Sequence, residues 1–534
     1  MKMLWRRVLA GGLLVVLSLS LIGIGATLKR VNLAITIEPK SLDPTIAYGT
    51  EMTRVHSNMF LPLVDYDYAK EMPVPRIAES WTASADGLTF VFYLRKDVKW
   101  SNGKPVTAHD IVYTVRRIVN PDTASPYAYW FDMIKGVKEV EEGKSTDLSA
   151  IGVKAIDDHT VEFDLVYPAA YFLQLLYGVL RPVPEEVVEK YGDKWTRPGN
   201  IVVNGPYLMT KWEPYNEIVL KKNPLYYDAE KVEIEEIHFY YVKEPSTAFS
   251  MYLTGELDCI RLSGELLDRV RTDPDLSKQL HIGANPAVNY IGFRCDKPPF
   301  DNPLVRKAFA AAIDKETLVK EVTRGGEQVA LTFVPPGLVG YVPNTEGIGI
   351  PYDPEKAREY LAQAGYPNGE GFPTVKFGFG ATTSETKMAQ ALQAMWQDTL
   401  GVKIQLLPRE HKTYFETVLA GAYHIFRLGW GADFPDGHDF LYYTFHSEYG
   451  EGTVKWKNIY YDCLVEKAAR VTDLDERKEL YKYAQKLLVE DDAAVAPLYW
   501  YSYRILTKPY IERPYTPNCT WEPRIEEWHI VGKN

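Results

Sequence analysis

Strand-like and helix-like stretches alternate along almost the whole of this chain, separated by short turns, with no low-complexity linker and no internal repeat. Helices in such a sequence must cover the faces of a sheet whose strands they connect, so the fold class is α/β. At roughly 150 residues per domain, 534 residues supply about three or four domains' worth of chain. With no linkers to separate them, those domains are expected to share chain crossings rather than follow one another as beads. Local signals place several elements. Residues 88–98 read as a strand rich in Phe, Tyr, Val and Thr, followed by the turn Ser101-Asn102-Gly103. Thr107 and Asp110 have capping-box spacing ahead of the helical stretch DIVYTVRRI. Asp353-Pro354 opens a second helix that Gly365 stops, and Ser384 opens a third that ends at Gly401. Beyond it the pattern gives a strand over 402–407, a helix over 412–420, a strand over 424–430 and a helix over 475–489. An aromatic strand over 498–501 follows.

The amino terminus has a different character. Lys2, Arg6 and Arg7 precede an apolar run over 8–24, and the small residues Gly25 and Ala26 follow. This is the layout of a secretory signal peptide, taken as residues 1–27, and it places the mature protein outside the cytoplasm. An uncleaved anchor is the alternative, since about 20 apolar residues span a bilayer. No cysteine lies nearby to carry a lipoprotein anchor. Cys259, Cys295, Cys463 and Cys519 form no CxxC pair, so a zinc site is disfavoured, and the count allows two disulfides, one or none. Lys and Arg number 60 against 71 Asp and Glu, an acidic balance that argues against nucleic acid as partner. Aromatics make up 13% of the chain, enough to fill cores and also to line a site for a ligand that is part apolar and part polar.

No catalytic pattern is present: no GxSxG, no HExxH, no phosphate-binding loop. Phe377-Gly378-Phe379-Gly380 lacks a third glycine and reads as a turn. Asn518-Cys519-Thr520 matches a glycosylation acceptor. Asp433, Asp436, His438 and Asp439 cluster in GWGADFPDGHDF, where a hard-metal or nickel site competes with the favoured reading of a polar loop turning at Asp436-Gly437. Asp433 stands apart. It directly follows the apolar stretch IFRLGW, at the carboxyl end of a strand, where open α/β sheets bind ligands. Between Trp430 and Phe434, its carboxylate suits capture of a ligand cation; a helix cap or surface ion pair accounts for the spacing equally well.

Several stretches, in order, resemble the extracytoplasmic oligopeptide-binding proteins of bacterial peptide ABC importers. They are SLDP (41–44), FYLRKDVKWSNGKPVTAHDIVY (92–113), NPDTASPYA (120–128), GVKAIDDHTVEF (152–163), EKYGDKWTRPGNIVVNGPY (189–207), KPPFDNPLVRKAF (297–309) and GWGADF (429–434). The resemblance implies a two-lobe clamshell with discontinuous domains: lobe I from 28–60, 187–286 and 503–534, an inserted domain over 61–186, and lobe II over 287–502. It implies a binding protein, not an enzyme, without cofactor or metal. The protein would be a monomer that captures short peptides with a free N-terminus in the periplasm and delivers them to a membrane ABC permease. It puts the amine anchor on Asp433, backbone contacts on Gly429, Gly431 and Thr50, and side-chain contacts on Tyr127 and Arg427, the latter toward the ligand carboxylate. Tyr499 and Tyr501 fall in a matching tyrosine-rich strand near the hinge, where lining the cleft and filling the core are equal alternatives, and Trp430 flanks the anchor. The sequence departs from the family pattern at several points. Glu385 and Thr386 stand where a histidine accompanies the arginine, no lysine counterpart is found, and His411 and Tyr48 replace a pocket tryptophan and glutamate. Gly431 and Ala287 replace the family's disulfide cysteines. An oligosaccharide-binding relative is the nearest rival reading, and an envelope peptidase the rival from another class.

Overall fold

The computed structural model describes residues 29–47, 49–515 and 524–532, with the side chains of residues 411 and 412 left aside. The signal segment, Tyr48, the 518–520 acceptor and Cys519 lie outside the described residues. The largest unit among the described residues is an eleven-stranded mixed sheet built around two long strands, Leu280–Phe293 and Val495–Thr507. On one side of them lies a first wing, in the order Cys259–Arg261, Arg30–Ile35, Glu236–Tyr241, Glu217–Lys222 and Tyr207–Glu213. On the other side lies a second wing, Ile425–Gly431, Val375–Gly380 and Ile404–Arg409. The two long strands pair antiparallel from Leu280↔Leu506 to Ala284↔Ser502, slip, and resume at Val288↔Trp500. Pro286 falls in the slip. A proline has no N–H for the ladder, so a strand interior accommodates it as a break or bulge. Among the described residues these two strands alone carry the sheet from one wing to the other, and their pairing is broken between Ala284 and Val288.

Burial follows the same division. The second wing is sandwiched between two apolar clusters, one containing Val288, Tyr290, Phe426 and Trp500, the other Ile291, Phe293, Phe377 and Leu498. A separate antiparallel sheet is formed by Ala78–Ala83, Thr89–Leu94, Thr160–Asp164 and Val153–Asp157, backed by the helix Ala108–Val119. Its Phe92 and Phe163 belong to the core that also buries Leu33 and Phe239 of the first wing. Asp43, in the SLDP stretch, ties these parts: Arg117 donates to it at 2.9 Å and Trp195 Nε1 at 2.9 Å. The small-sheet region also meets the second wing. Tyr171 stacks on His438 with ring centroids 3.9 Å apart, and Ala170 N donates to Ala469 O.

The capping box at Thr107 and Asp110 and the Asp353 cap form as the sequence predicts, while the third helix begins earlier, capped by Thr382. Two expectations are corrected. Phe377–Gly380 is not a turn but the second half of the strand Val375–Gly380, because Gly378 gives room for the Tyr423 ring, which lies 2.4 Å from where a Cβ would sit. Asp436-Gly437 is not a turn in a polar surface loop. Asp436 caps the helix Gly437–Phe445, is fully buried, and accepts from Arg477 at 2.7 Å, which gives the buried carboxylate its countercharge. Among the described residues no disulfide joins Cys259, Cys295 and Cys463 to one another. No helix among the described residues is long and apolar enough to cross a membrane.

Candidate ligand-binding site

The strand Ile425–Gly431 pairs along one edge with Leu280–Phe293 over its full length. Along the other edge it pairs with Val375–Gly380 only at Ile425 and Phe426. From Arg427 onward no strand among the described residues neighbours that edge. Two hydrogen bonds show which backbone groups face it. Arg427 N and O both bond the Tyr414 hydroxyl, at 3.1 and 2.8 Å, so the odd-numbered residues point outward. Ala432 N donates to Pro286 O at 2.8 Å, so the even-numbered ones point inward. Alternation then turns the N–H and C=O groups of Gly429 and Gly431 toward open space. Ala287 and Gly431 face each other across the ladder, the pair of positions where the resemblance expects cysteines.

That space is a cavity of about 550 Å³, lined by Asn289, Glu385, Arg427, Gly429, Trp430, Glu451 and Tyr501 among others. A second cavity of about 210 Å³ is lined by Thr50, His56, Tyr127, Trp130, Gly178 and Arg181. Gly431 and Asp433 belong to both walls. The two cavities thus bring together all eight residues singled out from the sequence, six around the larger and four around the smaller. The smaller one is closed by chain from both ends of the sequence: Gly178 lies so near the second wing that a Cβ there would be 2.5 Å from Asp433 O. Only glycine permits that approach.

The charges of the larger cavity are distributed unequally. At one end Arg427 donates from Nε to Asn289 Oδ1 at 2.9 Å and to the Tyr499 hydroxyl at 3.0 Å, and pairs with Glu385 at 3.4 Å. Asn289 in turn donates to the Tyr501 hydroxyl at 2.8 Å. Burial opposes the guanidinium charge, but Tyr499, Tyr501 and Glu385 outweigh it and keep Arg427 firmly protonated. At the other end are three carboxyl groups. Burial raises Asp433 well above the usual carboxylate range and the neighbouring Glu451 adds to the rise. Glu451 is itself pushed up to about 7 by burial. Asp439 is raised further by burial and by Asp433; it accepts from Asp433 N at 2.8 Å and from Trp430 Nε1 at 3.4 Å, so it positions both. No arginine or lysine pairs with Asp433 or Glu451 among the described residues.

Of the expected residues, Tyr127 uses its hydroxyl on Ala47 O at 2.6 Å and offers the cavity its ring rather than a free O–H. Thr50 is exposed at the first turn of the helix Thr50–His56. Glu451, Asn289, Arg181 and His56 are lining residues that sequence reading did not find. None sits in a recognisable spacing, and each arrives from a different segment.

Residues 72–452 match the model of the middle part of the bacterial extracellular solute-binding proteins, family 5. The periplasmic oligopeptide-binding protein OppA of Escherichia coli (strain K12) is 34% identical over 480 residues, which cover 89% of this chain and 87% of that protein. The unliganded open form of the periplasmic murein tripeptide binding protein MppA superposes with a TM-score of 0.80 at 28% identity, covering 95% of this chain and 98% of that one. Haemophilus influenzae OppA in complex with RPPGFSPFR superposes with a TM-score of 0.76 at 28% identity, covering 95% and 99%. The match covers both wings and the small sheet, and it gives the mixed α/β architecture the two-lobe form of the periplasmic peptide-binding proteins. The chain belongs to the family 5 bacterial extracellular solute-binding proteins.

Proposed function

We propose that this protein captures short peptides with a free N-terminus outside the cytoplasmic membrane and passes them to an ABC permease. The observation that carries this reading is the position of Asp433: a carboxyl group without a basic partner, at the end of a strand whose free edge turns two backbone dyads into a cavity. An α-amine with an ordinary pKa near 8 arrives charged at neutral pH and supplies the countercharge that Asp433 lacks. The peptide then extends along Gly431 and Gly429 as an added strand, through main-chain hydrogen bonds that read no side chain. Tyr414 closes the edge at Arg427, so two dyads about 7 Å apart remain, a length suited to a peptide of roughly three residues. Arg427, already matched by Glu385, would bond a C-terminal carboxylate only by sharing it with that acid.

Domains follow from the same reading. The segments 28–60, 187–286 and 503–534 form lobe I, 61–186 an inserted domain and 287–502 lobe II, hinged at the slip between Ala284 and Val288. The site lies between them, with Thr50 and Tyr127 from one side and 427–433 and Glu451 from the other. A ligand that contacts both sides favours the closed state by its differential affinity, and closure is what the permease reads. The protein is a monomeric receptor rather than an enzyme, exported through its signal peptide. The test is a binding selection. Ligand-stripped protein is mixed with random di- to hexapeptides, half of them N-acetylated, and retained species are identified by mass spectrometry. Recovery of free-amine peptides without turnover is expected. Equal recovery of both halves would remove the Asp433 anchor. Retention of neither half, with capture from a neutral oligosaccharide panel, would overturn the peptide reading, and cleaved products would overturn the receptor reading.

A further inference from the structure

The smaller cavity holds a buried cation that has no ion-pair partner among the described residues. Arg181 is 6% exposed; it donates from one terminal nitrogen to Gly178 O at 2.8 Å, its Nε has no hydrogen-bond partner, and no carboxylate lies within ion-pair distance among the described residues. Asp65, whose charge acts on Arg181, is taken by Arg524 and Arg76. Beside it, His56 is 3% exposed, with Nδ1 unpartnered. Burial, then the Arg181 charge, keep His56 neutral, so its ring is available as a hydrogen-bond donor or acceptor. Tyr127 and Tyr177 are the other polar groups near the guanidinium. A buried guanidinium without a countercharge is costly to a fold. Its location in a wall shared with Asp433 gives it a use.

We propose that Arg181, assisted by His56, selects peptides whose first side chain is acidic. This rests on the peptide reading above, with the α-amine at Asp433. A first residue anchored there has its side chain next to the 210 Å³ cavity, a space suited to a short side chain. Aspartate or glutamate then presents an ammonium to Asp433 and a carboxylate to Arg181. Each charge of the ligand meets an unpaired charge of the protein, and the guanidinium gains the charge-assisted bonds that its free nitrogens lack.

The experiment is calorimetric titration of the ligand-stripped, full-length mature protein with Glu-Ala-Ala, Gln-Ala-Ala and Ala-Ala-Ala, using wild type, Arg181→Met and Arg181→Lys. Glu-Ala-Ala is expected to bind wild type about tenfold or more tighter than its isosteric glutamine analogue. That ratio falls to near one in Arg181→Met and recovers in part in Arg181→Lys. The wild-type ratio stands even if Arg181→Met fails to fold, and Arg181→Lys keeps the charge in place. Equal or tighter binding of Gln-Ala-Ala to wild type overturns the proposal, as does a ratio that survives in a folded Arg181→Met. Free glutamate binding as tightly as Glu-Ala-Ala would overturn the assignment to a first side chain. Binding of Ala-Ala-Ala without the glutamate preference leaves the peptide reading standing alone, whereas failure of all three peptides strikes that reading first.

Discussion

The two charged ends of the larger cavity are opposite in more than sign. Arg427 is satisfied before any ligand arrives, through Glu385, Asn289 and Tyr499. Asp433 is not: its neighbours are Glu451 and Asp439, and burial holds all three toward the protonated form, with like charge adding to it at Asp433 and Asp439. A buried charge with its partners in place shapes a wall. A buried carboxyl group without one gains by pairing with whatever cation enters. The amine end should therefore dominate affinity while the carboxylate end mainly adjusts it.

The strongest way to break that comparison is to remove the unbalanced acid. Asp433→Asn keeps size and hydrogen bonding but not charge, and should weaken free-amine peptides by more than tenfold while abolishing discrimination against N-acetylated ones. Fluorescence or calorimetric titration reads both, and near-wild-type affinity would sink the anchor.

A second effect follows from proton linkage. Carboxyl groups raised in the native state bind more protons there than in the unfolded chain, between the ordinary carboxylate range near 4 and the value of about 7 reached by Glu451. Their contribution to native stability is therefore greatest below that window and is lost as pH rises through it. Peptide binding has the opposite dependence, because an ammonium ligand requires the ionised form. Affinity should drop by up to about tenfold per unit as pH falls below 7, while the ligand-free melting temperature changes in the other direction across the same range. Parallel trends in affinity and ligand-free stability would show that the acids stay ionised in the empty site.

The smallest expected effect sharpens the other end. Glu385→Gln removes the acid that balances Arg427, freeing the guanidinium for a ligand carboxylate. Tripeptides with a free C-terminus should then gain a few-fold over their C-terminal amides relative to wild type, in the range of a partly exposed ion pair. An unchanged ratio would mean that the ligand's C-terminus never reaches Arg427.

Much of the molecule is legible from local chemistry. The α/β class, the Thr107–Asp110 capping box and the Asp353 cap depend on neighbours within a few residues, so short-range patterns carry them. Asp433 was also accessible, because an acid directly after an apolar strand stands at the strand's carboxyl end wherever the strand goes. Phe377–Gly380 and Asp436 misled for the reverse reason. Gly378, which signals a turn locally, is here the gap into which Tyr423 packs, and a polar stretch that signals a surface loop is buried because Arg477, some forty residues on, neutralises it.

The elements, the class and the strand end that bears Asp433 each rest on periodicity and caps within one segment, so local sequence was enough to set them. Only the tertiary structure decided that Glu451 stands beside Asp433, that Glu385 balances Arg427, and that His56 and Arg181 share a wall with residues 431–433. Those juxtapositions join separate segments, in the last case some 250 or more residues apart. Burial then shifts the protonation and pairing of the groups it gathers, and burial is a property of the packed whole.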